Sequence, residues 1–462
     1  MQGLQLLGFF PIITPGFSIG SGGIMSEFIA PRVLKGFRDY LPAAEGARVA
    51  LIQKLEASFS SFGFVPIDTP ALEYAEILLG KGGGETDKQV YRFLDNGNRD
   101  VALRFDLTVP FARFMAEHVD ELYLPFRRYH IAKVWRGENT QRGRYREFMQ
   151  CDFDIVGVDC ASADADIVLT IADAMRRLCV GDVRIRINHR TIFNRFLQAC
   201  CAESSGLAVM RIVDKLDKIG IEEAKALLVE EVGAETAEKV LRFIEPKEGF
   251  LETLNSMLTF CAPGDAMAMD AAHRLEDVYN IALVSGNAAS LVLDPSITRG
   301  LDYYTGIVFE TNLAEMPEIG SVCSGGRYNE LASLYTSRKL PGVGASVGLD
   351  RLLAALEILG KTPRSGSGPK VLLLCGDLGL LPALHKVATS LRAAGVATEV
   401  YPEARKTSAQ YGYAEKKAIP FALALDEDSL GRGVFPLRNL AERVTTVCES
   451  LDAVVAHLGG SK

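Results

Sequence analysis

The sequence lacks the features that would place it among membrane proteins, disulfide scaffolds or zinc-ribbon proteins. Its nine cysteines include the adjacent pair Cys200 and Cys201 but no CxxC spacing. This pattern indicates neither a zinc ribbon nor a disulfide framework. No unbroken apolar run reaches the roughly 18 residues that cross a bilayer. We therefore expect a soluble chain with reduced cysteines, located in the cytoplasm and without contact to a membrane.

Two glycine-rich segments lack the spacing of common nucleotide-binding loops. The GKGGG that follows Leu79 is not closed by GK[ST], so it is not a Walker loop. The GVGASVG of Gly342–Gly348 has GxGxxxG spacing and lies late in the chain, whereas a dinucleotide loop opens a leading βαβ unit. The sequence also shows no convincing Ser/His/Asp or Cys/His arrangement, so we do not expect a protein nucleophile.

Length and charge set the scale of the molecule. A chain of 462 residues is long enough for two or three domains. Hydrophobic residues at 48% and charged residues at 23% are ordinary for a globular protein. The net charge of −8 argues against general coating of nucleic acid. An RNA partner would therefore need a basic groove on an acidic body.

The first 24 residues carry no charged side chain and are interrupted by Pro11, Pro15 and several glycines. They lack the basic start of a signal peptide. We expect residues 1–25 to form a poorly ordered extension. Met25 is an alternative start of the chain, because coherent patterning begins just after it, and the sequence leaves both starts open.

Periodicity predicts the first elements of the fold. Apolar residues between Glu45 and Phe62 recur at helical spacing, and Gly63 follows as a C-cap. The next segment is expected to be extended around Pro66 and Pro70. Further on, PFRRYHIAKVWRGE and RYREFMQCDFDIVG are typical of two strands, joined by the turn NTQRG.

The rest of the chain alternates between helical and strand-rich regions. Residues 190–285 are predominantly helical and are predicted to be an insertion within a core of residues 26–360. Strand character returns at LVLDPSITRGLDYYTGIVFET, SVCSGGRYNEL and GVGASVG. The segment GKTPRSGSGP marks a linker at 361–369. Beyond it, strands at KVLLLCG, VATEVY and FALALDE alternate with helices, which predicts a small α/β domain over residues 370–462.

Four arginines are candidates for binding phosphate, because a guanidinium matches phosphate oxygens bidentately and stays charged. Arg136, Arg144, Arg299 and Arg351 lie in or beside predicted strands and turns. Each alone would more simply be a surface or ion-pair residue. Their significance depends on the motifs around them.

Those motifs resemble the histidyl-tRNA synthetases of class II. VWRGENTQRGRYREFMQCDFDIVG is similar to class II motif 2, and GVGASVGLDRL is similar to motif 3. SITRGLDYYTGIVFE and CSGGRYNEL resemble the two histidine-specific signatures. The helix ending near Gly63 and the following IDTP resemble motif 1, which builds a dimer interface in the family. The resemblance runs in family order from about Phe37 onward.

The resemblance implies a fold and an activity. The fold would be an α+β catalytic core with a mixed, mainly antiparallel sheet, a helical insertion and a C-terminal α/β anticodon-binding domain. The activity would be ATP-dependent formation of histidyl-adenylate, followed by transfer of histidine to the 3′ end of tRNA(His), with release of AMP and pyrophosphate. The implied partners are ATP with Mg²⁺, L-histidine, tRNA(His) and a second copy of the chain. No protein ligand for a metal is assigned.

The resemblance also assigns an ATP site. Arg136 would hold the α-phosphate and the histidine carboxylate, and Glu138 would contact the adenine amino group. Phe148 would stack on the adenine. Arg144 and Arg351 would hold the β- and γ-phosphates.

The arginine of the first signature has a separate role in this family. Arg299 would lie against the α-phosphate and, together with Arg136, would be catalytic. A fixed positive charge there stabilises the transition state, and loss of such a donor costs about 100-fold to 1000-fold in rate. We therefore expect Arg299→Ala to abolish most adenylate formation, as measured by histidine-dependent ATP–pyrophosphate exchange, without unfolding the chain.

Histidine selection requires partners for the donor and the acceptor nitrogen of a neutral imidazole. By resemblance, Asp154 and Tyr304 would take these two nitrogens, and Tyr328 would lie along the ring. The other residues expected around the amino acid are Asp106, Thr108, Arg136, Gln150 and Tyr303. Such a site rejects analogues that lack the matching groups, so that no editing domain is needed.

The C-terminal domain would bind the anticodon. Its candidate residues form a basic and aromatic patch suited to stacking and charge neutralisation of single-stranded bases. They are Arg405, Lys406, Tyr411 and Lys416. A solvated helix face is the alternative interpretation of this patch.

Two other functions are weighed against the synthetase. A non-catalytic paralogue, such as a regulatory subunit of histidine biosynthesis, would tend to lack Arg299, Arg351 or the C-terminal domain. A synthetase of another specificity would lack the two histidine signatures. One departure from the family pattern is Asn329, which stands where aspartate is more usual after GGRY and leaves a charged contact there in doubt.

Overall fold

The computed structural model describes residues 29–80, 89–298, 300, 304–363 and 368–459. Arg299, Tyr303, the predicted N-terminal extension and part of the linker lie outside the described residues. Within the described ranges, no helix is long and apolar enough to span a bilayer.

The first part of the chain forms a long helix and a small three-stranded sheet. The predicted first helix is confirmed, with Leu51, Leu55 and Phe59 buried at helical spacing and Gly63 at φ 78° just after it. The elements are α1 Pro42–Ser61, β1 Val65–Pro66, β2 Leu72–Tyr74, α2 Ala75–Leu79, β3 Arg92–Leu94, β4 Asp100–Leu103 and α3 Thr108–His118. The small sheet has the order β2-β4-β3.

The predicted hairpin is confirmed. Strands β5 Phe126–Trp135 and β6 Glu147–Val156 pair antiparallel along their whole length. One face of this hairpin packs against α1, and the ring centroids of Phe153 and Phe59 are 4.7 Å apart. Helix α4 Ala161–Leu178 and strand β7 Val183–His189 follow.

The helical character predicted for 190–285 is also confirmed. The rings of Phe196 and Phe243 stack with 4.3 Å between their centroids. They belong to one continuous hydrophobic core that also includes residues of strands β6 and β7 and of later strands described below. The helices are α5 Arg190–Ala199, α6 Gly206–Val213, α7 Leu216–Ile219, α8 Ile221–Val232, α9 Ala234–Phe243, α10 Phe250–Leu258 and α11 Ala266–Val284.

A large sheet organises the part of the chain before the predicted linker. The chain adds β8 Leu291–Leu293, β9 Ile307–Leu313, β10 Cys323–Arg327, β11 Gly342–Gly348 and the helix α12 Leu349–Ile358. The eight strands have the order β1-β5-β6-β11-β10-β9-β7-β8. Only the two outer pairs, β1 with β5 and β7 with β8, are parallel. The expectation of a mixed, mainly antiparallel sheet is confirmed.

The C-terminal part has its own five-stranded sheet and its own hydrophobic core. Its elements are β12 Val371–Leu374, α13 Leu381–Ala393, β13 Thr398–Val400, α14 Thr407–Lys416, β14 Phe421–Ala424, α15 Glu427–Arg432, β15 Phe435–Asn439, β16 Val444–Cys448 and α16 Leu451–His457. The three predicted strands form a parallel set, and β15 and β16 extend it antiparallel.

Candidate active site

A cavity of about 280 Å³ lies over the middle strands of the large sheet. It gathers residues from α3, from the β5–β6 hairpin, from β10 and β11, and from the first turn of α12. All predicted ATP and histidine residues that fall within the described ranges line it: Asp106, Thr108, Arg136, Glu138, Arg144, Phe148, Gln150, Asp154, Tyr304, Tyr328 and Arg351.

Strand β6 supplies one row of the cavity wall. Successive side chains of a strand point to opposite faces, so residues two apart share a face. Phe148, Gln150, Asp152 and Asp154 follow this spacing, and all four line the cavity. Asp152 was missed in the sequence-based assignment, although the alternation that places Gln150 and Asp154 in the site places Asp152 between them.

A buried arginine supports the acidic end of this row. Arg128 lies directly opposite Asp154 in the antiparallel register and is fully buried. Its Nη2 is 2.7 Å from Asp154 Oδ2, an ion pair without the alignment of a hydrogen bond. Its guanidinium lies 4.1 Å from the ring centroid of Phe111. The motif-based assignment missed this arginine too. Pairing the two predicted strands in register would have identified it, because Arg128 lies opposite Asp154.

Four buried side-chain oxygens in the cavity have no hydrogen-bond partner among the described residues. They are Asp106 Oδ2, Gln150 Oε1, Asp152 Oδ1 and Asp154 Oδ2. Unpaired buried acceptors are costly, and they are rare unless a ligand or water completes them. This end of the cavity is therefore built to accept donors from a bound molecule.

Burial shifts the acidity of these groups. It raises the pKa of Asp152 to about 7, with Arg128 lowering it and Asp154 and Asp106 raising it. Burial also raises the pKa of Asp106 and of Asp154, against the opposing effect of nearby arginines. Tyr328 donates from its hydroxyl to Asp154 Oδ1 at 2.5 Å. This bond favours the ionised form of Asp154 and opposes the effect of burial.

The opposite end of the cavity is basic. Arg136 donates from Nε to the carbonyl of Phe105 at 2.8 Å, and its guanidinium lies 5.3 Å from the ring centroid of Phe148. Arg351 donates to the carbonyl of Ser321 at 2.7 Å. Arg144 forms an ion pair with Glu138. These side chains are held by the fold in positions from which they can receive an anion.

Glycines of β11 make room for the acidic end. A Cβ on Gly344 would lie 2.0 Å from Asp154 Oδ1, and a Cβ on Gly342 would lie 2.4 Å from Cε2 of Tyr328. The GVGASVG segment is a strand rather than a phosphate-binding loop. Its glycines admit the side chains of neighbouring strands.

The predicted anticodon residues lie along one helix of the C-terminal part. Arg405 and Lys406 precede α14, and Lys416 is its last residue, so that the two ends are separated by about 15 Å of helix. Tyr411 lies between them, with the guanidinium of Arg438 at 5.3 Å from its ring centroid. Arg405 pairs with Glu403 at 2.9 Å. The basic residues therefore lie at the two ends of the helix, not in a compact cluster.

The chain matches two family models and many curated proteins. Residues 36–352 match the histidyl-tRNA synthetase model, and residues 370–458 match the anticodon binding domain model. A histidine–tRNA ligase of Treponema denticola is 51% identical, over 88% of this chain and 91% of the relative. A histidine–tRNA ligase of Rhodopirellula baltica is 47% identical, over 93% of this chain and 96% of the relative.

Solved structures agree. A histidyl-tRNA synthetase from a Nostoc species superimposes with a TM-score of 0.85 at 30% identity, covering 93% of this chain and 99% of that one. An ATP phosphoribosyltransferase regulatory subunit/histidyl-tRNA synthetase from Bacillus halodurans gives a TM-score of 0.70 at 20% identity, over 83% of this chain and 96% of that one, and so shares the fold. The chain belongs to the histidyl-tRNA synthetase family.

Proposed function

We propose that the acidic end of the cavity binds L-histidine and its basic end binds ATP, so that both substrates meet in one site. Attachment of histidine to tRNA is the activity of the family to which the chain belongs. The observation that carries the residue assignment is the set of four buried oxygens at the acidic end that accept no hydrogen bond from the described residues. A histidine zwitterion with a neutral ring has four N–H donors, three on its ammonium group and one on its imidazole.

Asp154 is our proposed hydrogen-bond acceptor for the imidazole N–H. Its Oδ1 already accepts from Tyr328, and its Oδ2 lacks a hydrogen bond, so it can accept the N–H of the ring. Tyr304, which lines the same cavity, is our proposed partner for the other ring nitrogen. The ammonium group then faces Asp106 Oδ2, Gln150 Oε1 and Asp152 Oδ1. Aromatic amino acids without ring nitrogens would leave Asp154 Oδ2 without a hydrogen bond, so that they would be rejected by binding alone.

The nucleotide is held at the other end. We propose that Phe148 stacks on the adenine and that Arg136 and Arg351 hold phosphate oxygens, as the resemblance implies for their positions. Glu138 and Arg144 are paired with each other, so that binding of adenine to one and phosphate to the other exchanges this ion pair for contacts with ATP. Arg299 is assigned to the α-phosphate by resemblance only, since it lies outside the described residues.

The chemistry needs position and charge rather than a protein nucleophile. The histidine carboxylate attacks the α-phosphorus, pyrophosphate leaves, and the terminal ribose hydroxyl of the tRNA then takes the histidyl group, with AMP released. Arg136 directly follows β5 and lines the cavity, and its charge acts on Asp106 at the acidic end. From there it can neutralise charge on the carboxylate and the α-phosphate. Preorganised cations of this kind act without reorganisation during the reaction.

Mg²⁺ is proposed to enter with ATP. The carboxylates beside the basic end, Glu138 and Asp350, are engaged by Arg144 and by Tyr40 and Arg38 respectively. Mg²⁺ retains water and binds substrate phosphates readily. We therefore assign its ligands to the phosphate oxygens and water, where it would neutralise charge on the leaving pyrophosphate.

The remaining assignments concern partners and organisation. We propose a catalytic core at 26–360, with its helical insertion at 190–285, a linker at 361–369, and an anticodon-binding domain at 370–462 that contacts tRNA(His) through α14. We also propose a homodimer formed near β1 and the small sheet, where several apolar side chains are exposed on a single chain: Val65, Leu72, Tyr74, Phe93 and Leu94. The nine unpaired cysteines support action in the cytoplasm.

One assay tests the central claim. ATP–pyrophosphate exchange is measured with each of the amino acids in turn, and we expect stimulation by histidine alone. Asp154→Asn should lower histidine-dependent exchange by about 100-fold or more, because a neutral amide cannot replace the carboxylate pair with Arg128. Asp428→Asn, at an exposed ion pair in α15, is the matched control. Exchange stimulated by another amino acid, or full activity of Asp154→Asn, would contradict the assignment.

A further inference from the structure

Behind the histidine end of the cavity lies an ion-pair network that joins three parts of the chain. Arg327, at the end of β10, donates to Asp164 Oδ1 of α4 from both Nε (3.0 Å) and Nη2 (2.7 Å). Arg274 of α11 donates to Asp164 Oδ2 at 2.6 Å and reaches Asp159 Oδ1 at 2.6 Å. The network therefore connects the second histidine signature, the segment after β6 and the helical region.

Asn329 completes this network through both ends of its amide. Its Oδ1 accepts from Arg327 Nη1 at 3.2 Å, and its Nδ2 donates to Asp159 Oδ2 at 2.8 Å. Only a side chain with an acceptor and a donor can serve both neighbours. An aspartate at this position would keep the contact to Arg327 but would place a carboxylate oxygen against that of Asp159.

The charges of the network are balanced as it stands. Two arginines face two carboxylates. Burial opposes ionisation of Asp159, but Arg327 and Arg274 lower its pKa below the usual value, so it is charged at neutral pH. The nearby His189 stays neutral, because burial, Arg274 and Arg327 lower its pKa to about 3. A third carboxylate at position 329 would carry an uncompensated charge.

Asn329 is also linked through the backbone to the proposed imidazole site. It follows Tyr328, whose hydroxyl holds Asp154. Its backbone N–H donates to Thr305 Oγ1 at 3.2 Å, and the N–H of Thr305 donates to the carbonyl of Arg327 at 2.7 Å. Thr305 in turn follows Tyr304. A shift of Asn329 would therefore move the backbone beside both tyrosines of the site, Tyr328 and Tyr304.

We propose that Asn329 is a positioning residue for histidine recognition and that it forms a charge-matched pair with Asp159, in which only one of the two positions can be acidic. The proposal rests on the assignment of histidine to the acidic end of the cavity. It accounts for asparagine in GGRYN: the carboxylate needed at this junction is supplied by Asp159. Arg274 extends the pair into α11, so that the helical region contributes to the shape of the amino-acid site.

The test is a set of variants that separates charge from packing. Asn329→Asp should raise the KM for histidine by about fivefold to tenfold, with a smaller change in the KM for ATP. The double variant Asp159→Asn with Asn329→Asp restores two charges of each sign and should return the KM for histidine to within about threefold of wild type. Asn329→Ala, which removes the contacts without adding charge, should lie between wild type and Asn329→Asp.

Controls keep the outcomes distinct. Asn255→Asp, on an exposed position of α10, adds the same charge elsewhere and should leave both KM values unchanged. Thermal unfolding of every variant excludes loss of fold. A wild-type KM in Asn329→Asp, or a double variant no better than the single one, would overturn the charge-matched pair. A wild-type chain without histidine-dependent exchange would instead overturn the proposed function and this inference with it.

Discussion

The hydroxyl of Tyr328 donates a hydrogen bond of 2.5 Å to Asp154 Oδ1, while Arg128 approaches the other carboxylate oxygen of the same residue at 2.7 Å. Asp154 is thus oriented by one neighbour on each side. It presents its unpaired lone pairs to the cavity in a fixed direction. Because its direction is fixed, Asp154 can select a ligand by the position of the ligand's N–H donor as well as by charge.

Removing the tyrosine hydroxyl should loosen that orientation. We expect Tyr328→Phe to raise the KM for histidine by about tenfold, because one oxygen of a buried carboxylate loses its donor, and to leave the KM for ATP nearly unchanged. Tyr123→Phe, at a position that is 70% exposed, is the matched control. Equal effects on both substrates in pyrophosphate exchange would argue against a role in histidine binding.

The acidity of Asp152 predicts a pH dependence of stability without substrate. Its pKa of about 7 in the folded chain lies above the usual aspartate value of 3.8, so the folded state holds this proton more tightly than the unfolded state. The contribution of Asp152 to stability is therefore present at low pH and is lost as the pH rises from about 4 through about 7. A difference of one in pKa between the folded and unfolded states corresponds to about 1.4 kcal/mol.

The measurement is chemical denaturation at several pH values. Asp152→Asn should gain unfolding free energy relative to wild type between about pH 4 and 7, by a few kcal/mol, and the difference should stay constant above that range. Asp428→Asn should follow the wild-type pH dependence. Curves for wild type and Asp152→Asn that stay parallel across the range would show that Asp152 ionises normally.

The close approach of β11 predicts a severe effect for one added methyl group. Gly344→Ala would place a carbon 2.0 Å from Asp154 Oδ1 and should displace that carboxylate, reducing histidine-dependent exchange by about 100-fold or more. Gly412→Ala, in α14 with no atom within 4 Å of the added Cβ, is the control. It should stabilise the chain by about 0.5–1 kcal/mol. Full activity of Gly344→Ala would contradict the packing described for this site.

The basic residues at the two ends of α14 predict that tRNA binding and amino-acid activation can be separated. Arg405→Glu with Lys406→Glu should raise the KM for tRNA in aminoacylation by about tenfold or more and weaken its salt dependence, while pyrophosphate exchange stays at the wild-type level. Lys386→Glu with Lys225→Glu, at exposed positions of α13 and α8, makes the same change in net charge elsewhere and is the control. A wild-type KM for tRNA in this variant would contradict the assignment of the anticodon contact to α14.

Much of this site could be predicted from the sequence because its residues lie in recognisable motifs. The hairpin followed from two aromatic and β-branched runs, and Gln150 and Asp154 followed from the resemblance. Asp152 lies between them in the same strand and was missed, because a motif marks the positions that relatives are known to use. The alternation of the strand identifies it without such knowledge.

Other features depend on contacts between distant segments. The function of Gly344 is visible only when β11 is laid beside β6, and Asp159 and Asn329 are 170 positions apart in the chain. The asparagine appeared as a departure from the family pattern, and its proposed reason lies in Asp159, in the segment that follows β6. Periodicity describes one segment at a time, so it carries no information about such pairs.

The single strand β6 sets the distance between the two ends of the cavity. From Phe148 to Asp154 its cavity face extends over six residue steps, about 20 Å, with the proposed adenine contact at one end and the proposed imidazole contact at the other. An insertion or deletion of one residue within this stretch would turn one end of the row to the opposite face. The spacing between the two proposed contacts and the choice of amino acid therefore depend on the register of one strand, and Arg136, Glu138 and Arg144 in the connection between β5 and β6 complete the nucleotide end.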